Sequence, residues 1–170
     1  MEFISVLHRD VDSVMLDQIC EIKNENWNYG SESQRKWIEN NISANDIHLV
    51  GVENRAIVTY CNIVLRRIHM DSESIVEVRG IGNVCVRQDL KGRGLGKELM
   101  KSVNSFLIRE DLYGLLLCKR NLIGFYKNCD WAVLDKSNVQ ADFEIESLQI
   151  MTLLNSTLLK QRIHLLGKSF

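Results

Sequence analysis

Proline is absent from all 170 residues, aromatic residues make up only 7%, and cysteine pairs of the CxxC type are missing. No apolar run reaches the roughly 18 residues that a membrane-spanning helix requires, so no membrane anchor is expected. The opening stretch MEFISVLHRD has neither a cationic start nor a long apolar centre, and a secretion signal is not expected either. Charge of one sign is not in excess: Lys+Arg 21 stand against Asp+Glu 22, a formal net charge of -1. That balance argues against the broad basic footprint of a nucleic-acid partner. Cys20, Cys61, Cys85, Cys118 and Cys129 are an odd number without zinc spacing to a histidine, and read as reduced thiols of a cytoplasmic protein. His8, His48, His69 and His164 are scattered, with no metal-ligand spacing between any two. No metal is expected, and the lack of proline carries no functional reading.

What is present is 45% hydrophobic and 25% charged, the balance of one globular domain over residues 1–170. A chain of this size buries roughly 70% of the surface its unfolded form exposes and needs no disulfide or structural metal. Phe3 to Leu7 reads as a strand, and Asp10 and Asp12 as caps for a helix turning Val14, Met15, Ile19, Cys20 and Ile22 inward. Asn24 to Gly30 breaks that pattern and carries Trp27 and Tyr29. Ser31 with Gln34 gives a capping-box signal for a short helix with Trp37, Ile38 and Ile42. Asp46 to Val52 and Ala56 to Arg66 read as a hairpin, and Asp71 to Glu73 as a turn into Ile75 to Val86.

From Gly94 the period becomes helical, with Leu95, Leu99, Val103, Phe106 and Leu107 on one stripe, and Gly114 is the expected stop. Leu115 to Cys118 is a short buried strand, Asn121 to Asn128 a brief helix, Trp131 to Leu134 a strand, and Leu148 to Leu154 the last one. In the tail, Leu158, Leu159, Ile163 and Leu166 stand near helical spacing. Packing is the first role this suggests, and homodimer contact the second.

The chemistry concentrates at Lys91-Gly92-Arg93-Gly94-Leu95-Gly96-Lys97, between the strand Val84 to Val86 and the helix after it. Glycines let backbone approach a ligand closely, and the free N–H groups and positive dipole end of a helix attract an anion. Three cations flank the turn, so the implied ligand is a phosphate or pyrophosphate. A P-loop would need glycine at 91 and Ser or Thr at 98, which are Lys91 and Glu98. The dinucleotide fingerprint would need glycine at 97, which is Lys97. Both fail on spacing.

VCVRQDLKGRGLGKELM instead resembles the GNAT superfamily of acetyl-CoA-dependent N-acyltransferases. That pattern is Arg or Gln, two residues, Gly, one residue, then Gly or Ala, after a strand and opening a helix. Lys91, Gly94 and Gly96 occupy those positions, with Lys91 departing from Arg or Gln. Downstream, LLLCKRNLIGFYKNCDW is similar to the family's strand, short helix with tyrosine, and aromatic-led strand, through Leu115 to Cys118, Tyr126 and Trp131. Asp130 stands where the family usually has glycine, and Lys119 where it often has asparagine. Arg66 through Trp131 also looks a little like aminoglycoside 2'-N-acetyltransferases. The resemblance implies an α/β (α+β) fold: a mixed, mostly antiparallel twisted sheet of six to seven strands flanked by about four helices.

It also implies roles. Backbone groups of Val84, Cys85 and Val86 would pair with the pantetheine arm, and Lys91 to Lys97 (Gly92, Arg93, Gly94, Leu95 and Gly96 between them) would hold the pyrophosphate of CoA, with Asn121 also at the cofactor. Tyr126 is the implied acid for the departing thiolate. For the base, Gly80 and Gly82 fill the expected positions and the nearest glutamate is Glu77; a water chain or an acceptor already neutral are the alternatives. Cys85 and Cys118 read as core rather than nucleophiles. Trp27 and Tyr29 either border the acceptor or plug the core. Glu25, Glu32, Asp71 and Glu73 either attract a cationic amine or are solvated surface. The leading expectation is acetyl transfer to a primary amine of a small molecule, without nucleic-acid or membrane partners. The competing classes are a CoA-binding sensor or partner subunit without turnover, and a peptide N-acetyltransferase.

Overall fold

The computed structural model describes residues 1–71 and 74–170. Among them are nine strands, β1 (Glu2–Leu7), β2 (Ile47–Glu53), β3 (Ala56–Met70), β4 (Ser74–Val86), β5 (Tyr113–Lys119), β6 (Trp131–Val133), β7 (Val139–Ala141), β8 (Leu148–Leu153) and β9 (Ile163–Leu165). Four α-helices accompany them: α1 (Ser13–Asn26), α2 (Ser31–Asn41), α3 (Leu95–Arg109) and α4 (Ile123–Lys127). The fold is mixed α+β, as expected, and mostly antiparallel. Seven strands are those expected; β7 and β9 are additional. Ser72 and Glu73, part of the expected turn, lie outside the described residues.

Two compact units divide the chain, Met1–Val64 with Gly82–Val103, and Leu65–Ile81 with Asn104–Phe170. In the first, the strand order is β1-β2-β3-β4. Asn54 and Arg55, at φ 51 and 65, turn the β2–β3 hairpin in two residues, with Glu53 opposite Ala56; paired left-handed residues match the twist of the strands they join. Asp12 caps α1 by accepting from the Met15 amide at 2.8 Å. The expected break at Asn24 comes later, because α1 runs to Asn26. Val14 is 64% exposed rather than inward, and Lys23 takes an interior place beside Ile19, Cys20 and Ile22. The expected capping box does not form: Ser31 is the first helical residue after Gly30, and the Gln34 side chain donates to the Trp27 carbonyl at 2.6 Å.

Lys23 is the least expected interior group. Its Nζ lies 3.8 Å from the Trp37 ring centroid and has no hydrogen-bond partner, and burial lowers its pKa to about 8. The unfolded chain holds this proton up to the ordinary lysine range, so between about pH 8 and 10 the unfolded state binds more protons and stability gains from rising pH. The buried thiols act in the opposite sense, so the difference between two proteins is the useful reading. Urea unfolding of Lys23→Met against the parent from pH 7 to 10 should show the variant's advantage largest at pH 7 and shrinking as pH rises; a constant difference would refute a charged Lys23 in the core. Elsewhere in this unit His48, wholly buried, bonds Tyr60 Oη and His8 at 3.0 Å each, and burial, with His8 next, lowers its pKa to about 4.

In the second unit the order is β3-β4-β5-β8-β6, with β9 on β3 and β7 on β9. β5 is parallel to β4 and antiparallel to β8. Gly114 does not stop α3. The helix ends through bonds from the Asp111 amide to Ile108 O and the Leu112 amide to Leu107 O, with Asp111 left-handed at φ 52, the Schellman pattern. Gly114 lies inside β5, where an added Cβ would come 2.5 Å from Leu107 Cδ1; the glycine is there for packing. The tail departs from helical expectation. β3 has fifteen residues and β2 pairs with it only as far as Ile63, so Ile68–Met70 present an edge that β9 fills. An open edge offers more backbone bonds than a short helix can. The packing role of the tail holds: Leu158, Ile163 and Leu165 join a core with Ile68, Val78, Leu115 and Ile150.

Candidate active site

In the first unit, β4 leads to the glycine-rich turn. Asn83, inside β4 just before Val84, is left-handed at φ 51, its Nδ2 donating to Asn62 Oδ1 at 2.5 Å. Past it, Val84 and Val86 are half-buried and Cys85 is buried. Burial pushes the Cys85 thiol up to about 12, so it is a core residue and no nucleophile. All five cysteines are free and buried.

The end of α1 clamps this strand. Asn26 Nδ2 donates to Val86 O at 3.0 Å, Glu25 Oε2 accepts from the Gln88 amide at 2.9 Å, and Gln88 Nε2 donates to Glu25 O at 2.8 Å. These contacts set where the turn begins. Glu25, expected either to attract a cationic amine or to be solvated surface, and Asn26, expected in the break after α1, both serve here as anchors of this segment. No pattern within α1 announces either contact, because both join residues some sixty positions apart.

Gly92 and Gly94 are left-handed at φ 81 and 82, and an added Cβ at either would meet no atom within 4 Å. Backbone conformation, not crowding, calls for glycine at both. The Lys97 and Glu98 amides bond back to Gly94 O at 2.9 and 3.2 Å. Among the described residues, the amides from Gly92 to Gly96 find no backbone acceptor. Lys91, Arg93 and Lys97 are exposed around them. Open amides at the positive end of a fifteen-residue helix form an anion cradle with added cationic charge.

Trp27 caps α1 and is half-buried, while Tyr29 is 73% exposed. Glu32 pairs with Lys36 at 2.7 Å on exposed helix surface.

In the second unit, Tyr126 is buried on α4 with its ring edge-on to Phe125, centroids 4.9 Å apart. Asn104 fixes the segment after it, donating to Cys129 O and accepting from Trp131 Nε1, both at 2.8 Å. Asp130 is left-handed at φ 65, a conformation that suits the glycine the family resemblance leads one to expect there. Asn121 is exposed, and Glu77 is exposed on β4 beside buried Val78.

The acetyltransferase (GNAT) family model matches residues 16–131, and the chain belongs to that family of acyltransferases. No curated protein sequence matches it. Solved structures share the fold at low identity. Escherichia coli ElaA is 17% identical at TM-score 0.67, over 90% of this chain and 99% of that one. An aminoglycoside 6'-N-acetyltransferase complexed with coenzyme A is 12% identical at 0.61, over 88% and 95%. A GNAT family acetyltransferase from Brucella melitensis in complex with acetyl-CoA is 15% identical at 0.58, over 89% and 88%.

Proposed function

We propose that this chain transfers an acetyl group from acetyl-CoA to a primary amine of a small molecule by direct attack in a ternary complex. The cradle of open amides from Gly92 to Gly96, flanked by Lys91, Arg93 and Lys97, carries the reading. Its donors and charge suit the pyrophosphate of CoA, and similar folds crystallised with CoA or acetyl-CoA support that ligand. Val84, Cys85 and Val86 would pair with the pantetheine arm through backbone groups, one amide polarising the thioester carbonyl. Asn121 would lie along the cofactor, and Tyr126 would protonate the departing thiolate. Trp27 and Tyr29 would border the acceptor. Buried, unpaired thiols support a cytoplasmic setting.

The amine must lose a proton as it attacks, and the exposed Glu77 would take it through water, or the acceptor would arrive neutral. Thiol release from acetyl-CoA with a panel of small primary amines tests the reading: amine-dependent release is expected, and CoA binding without release from any amine would establish a sensor instead. With the best amine, log kcat/KM should climb with pH up to the amine's own pKa and stay unchanged in Glu77→Gln if neutral amine is used directly. A loss of kcat/KM in Glu77→Gln at every pH would instead make Glu77 the base.

A further inference from the structure

The end of β3, β9 and β7 form a three-stranded ladder within the second unit. Side chains alternate between faces along a strand, so buried Ile163 and Leu165 leave Arg162 and His164 on the opposite face. Register sets His69 across from His164 on one side and Gln140 beside it on the other. The two imidazole centroids are 6.2 Å apart. A cavity of about 380 Å³ opens over this row, lined also by Ser137 and Asn138.

The acids that follow β3 and β7, Asp71 and Asp142, are engaged. Asp142 Oδ1 bonds His164 Nε2 at 2.7 Å and Oδ2 accepts from the Gly167 amide at 2.9 Å, while Asp71 Oδ1 accepts from the Arg162 amide at 3.1 Å. The donors are not. Among the described residues the Arg162 guanidinium meets no carboxylate, and His69 Nδ1 is shielded from solvent without any hydrogen-bond partner. Shielded in this way, Nδ1 is not itself open to the cleft, which His69 lines through the rest of its ring.

We propose that this cleft binds the phosphate group of a small phosphorylated ligand, at a site separate from the glycine-rich turn. The guanidinium fork matches an oxyanion. Donors line the cavity from Arg162 just before β9, from Gln140 on β7 and from Ser137 and Asn138, and donors on three separate segments suit a tetrahedral oxyanion better than the two coplanar oxygens of a carboxylate. The fixed charge of Arg162 in the same space opposes a metal cation. Asp142 holds the His164 ring in place, so the site is organised before its ligand arrives.

The test is a magnetic-resonance titration of the full chain with inorganic phosphate, read on the imidazole signals of His69 and His164, with acetate as a parallel arm. Phosphate should shift both rings saturably, Arg162→Gln should weaken that binding by at least about tenfold, and acetate should not saturate. Arg162→Gln should melt with the parent, since the group it loses makes no internal bond. His69→Gln should weaken binding as well; if it does not fold, Arg162→Gln decides alone. Absence of saturation, equal saturation by acetate, or unchanged affinity in Arg162→Gln would each overturn the proposal. The readout does not depend on acetyl transfer.

Discussion

Tyr126→Phe should lower turnover by about 100-fold to 10,000-fold, the usual value of a positioned general acid, while CoA affinity stays nearly constant. A phenol has an ordinary pKa near ~10 and is protonated at neutral pH, so it can donate to a thiolate as it leaves. The substitution keeps the ring, its edge-on contact with Phe125 and its buried place on α4, so the folded state should survive. The measurement is steady-state kinetics with chemistry shown to limit the rate. Loss in kcat and kcat/KM together marks an interaction made in the transition state; turnover within about threefold of the parent would remove Tyr126 from the mechanism.

Gly94→Val should weaken CoA binding by more than tenfold, about 1.4 kcal/mol. Space is not the obstacle, because a Cβ at Gly94 meets nothing within 4 Å. The obstacle is φ 82, in a region that a β-branched residue avoids. Relief of that strain would redirect the chain on which the amides from Arg93 to Gly96 depend for a common aim. Calorimetry should show the loss without a matching fall in thermal stability, since the turn is exposed. Unchanged affinity would place the pyrophosphate elsewhere.

Both predictions rest on segments that sequence alone made legible. Alternation and helical period located β1, the β2–β3 hairpin, β4, α3 and β5 to within a few residues, because each element's buried side is written in its own neighbours. The glycine turn was legible for a similar reason: a left-handed backbone between strand and helix demands residue types that sequence displays. Asp130 is the instructive exception, since a left-handed position had been filled by a residue that tolerates it, and the letter alone looked like a mismatch.

The amino-acid sequence by itself determined the mixed α and β order, the glycine-rich turn between strand and helix, and the family, all of which depend on residues close together along the chain. Tertiary structure alone decided that Asn26 and Glu25 clamp the segment ahead of the turn, that Lys23 is buried against Trp37, and that the tail forms a strand. It also brought His69 and His164 into register across ninety-five residues. Spacing could not show that pair, because the register of β9 on β3 follows from an unpaired strand edge and an alternating apolar face, and both come into being only when the sheet assembles.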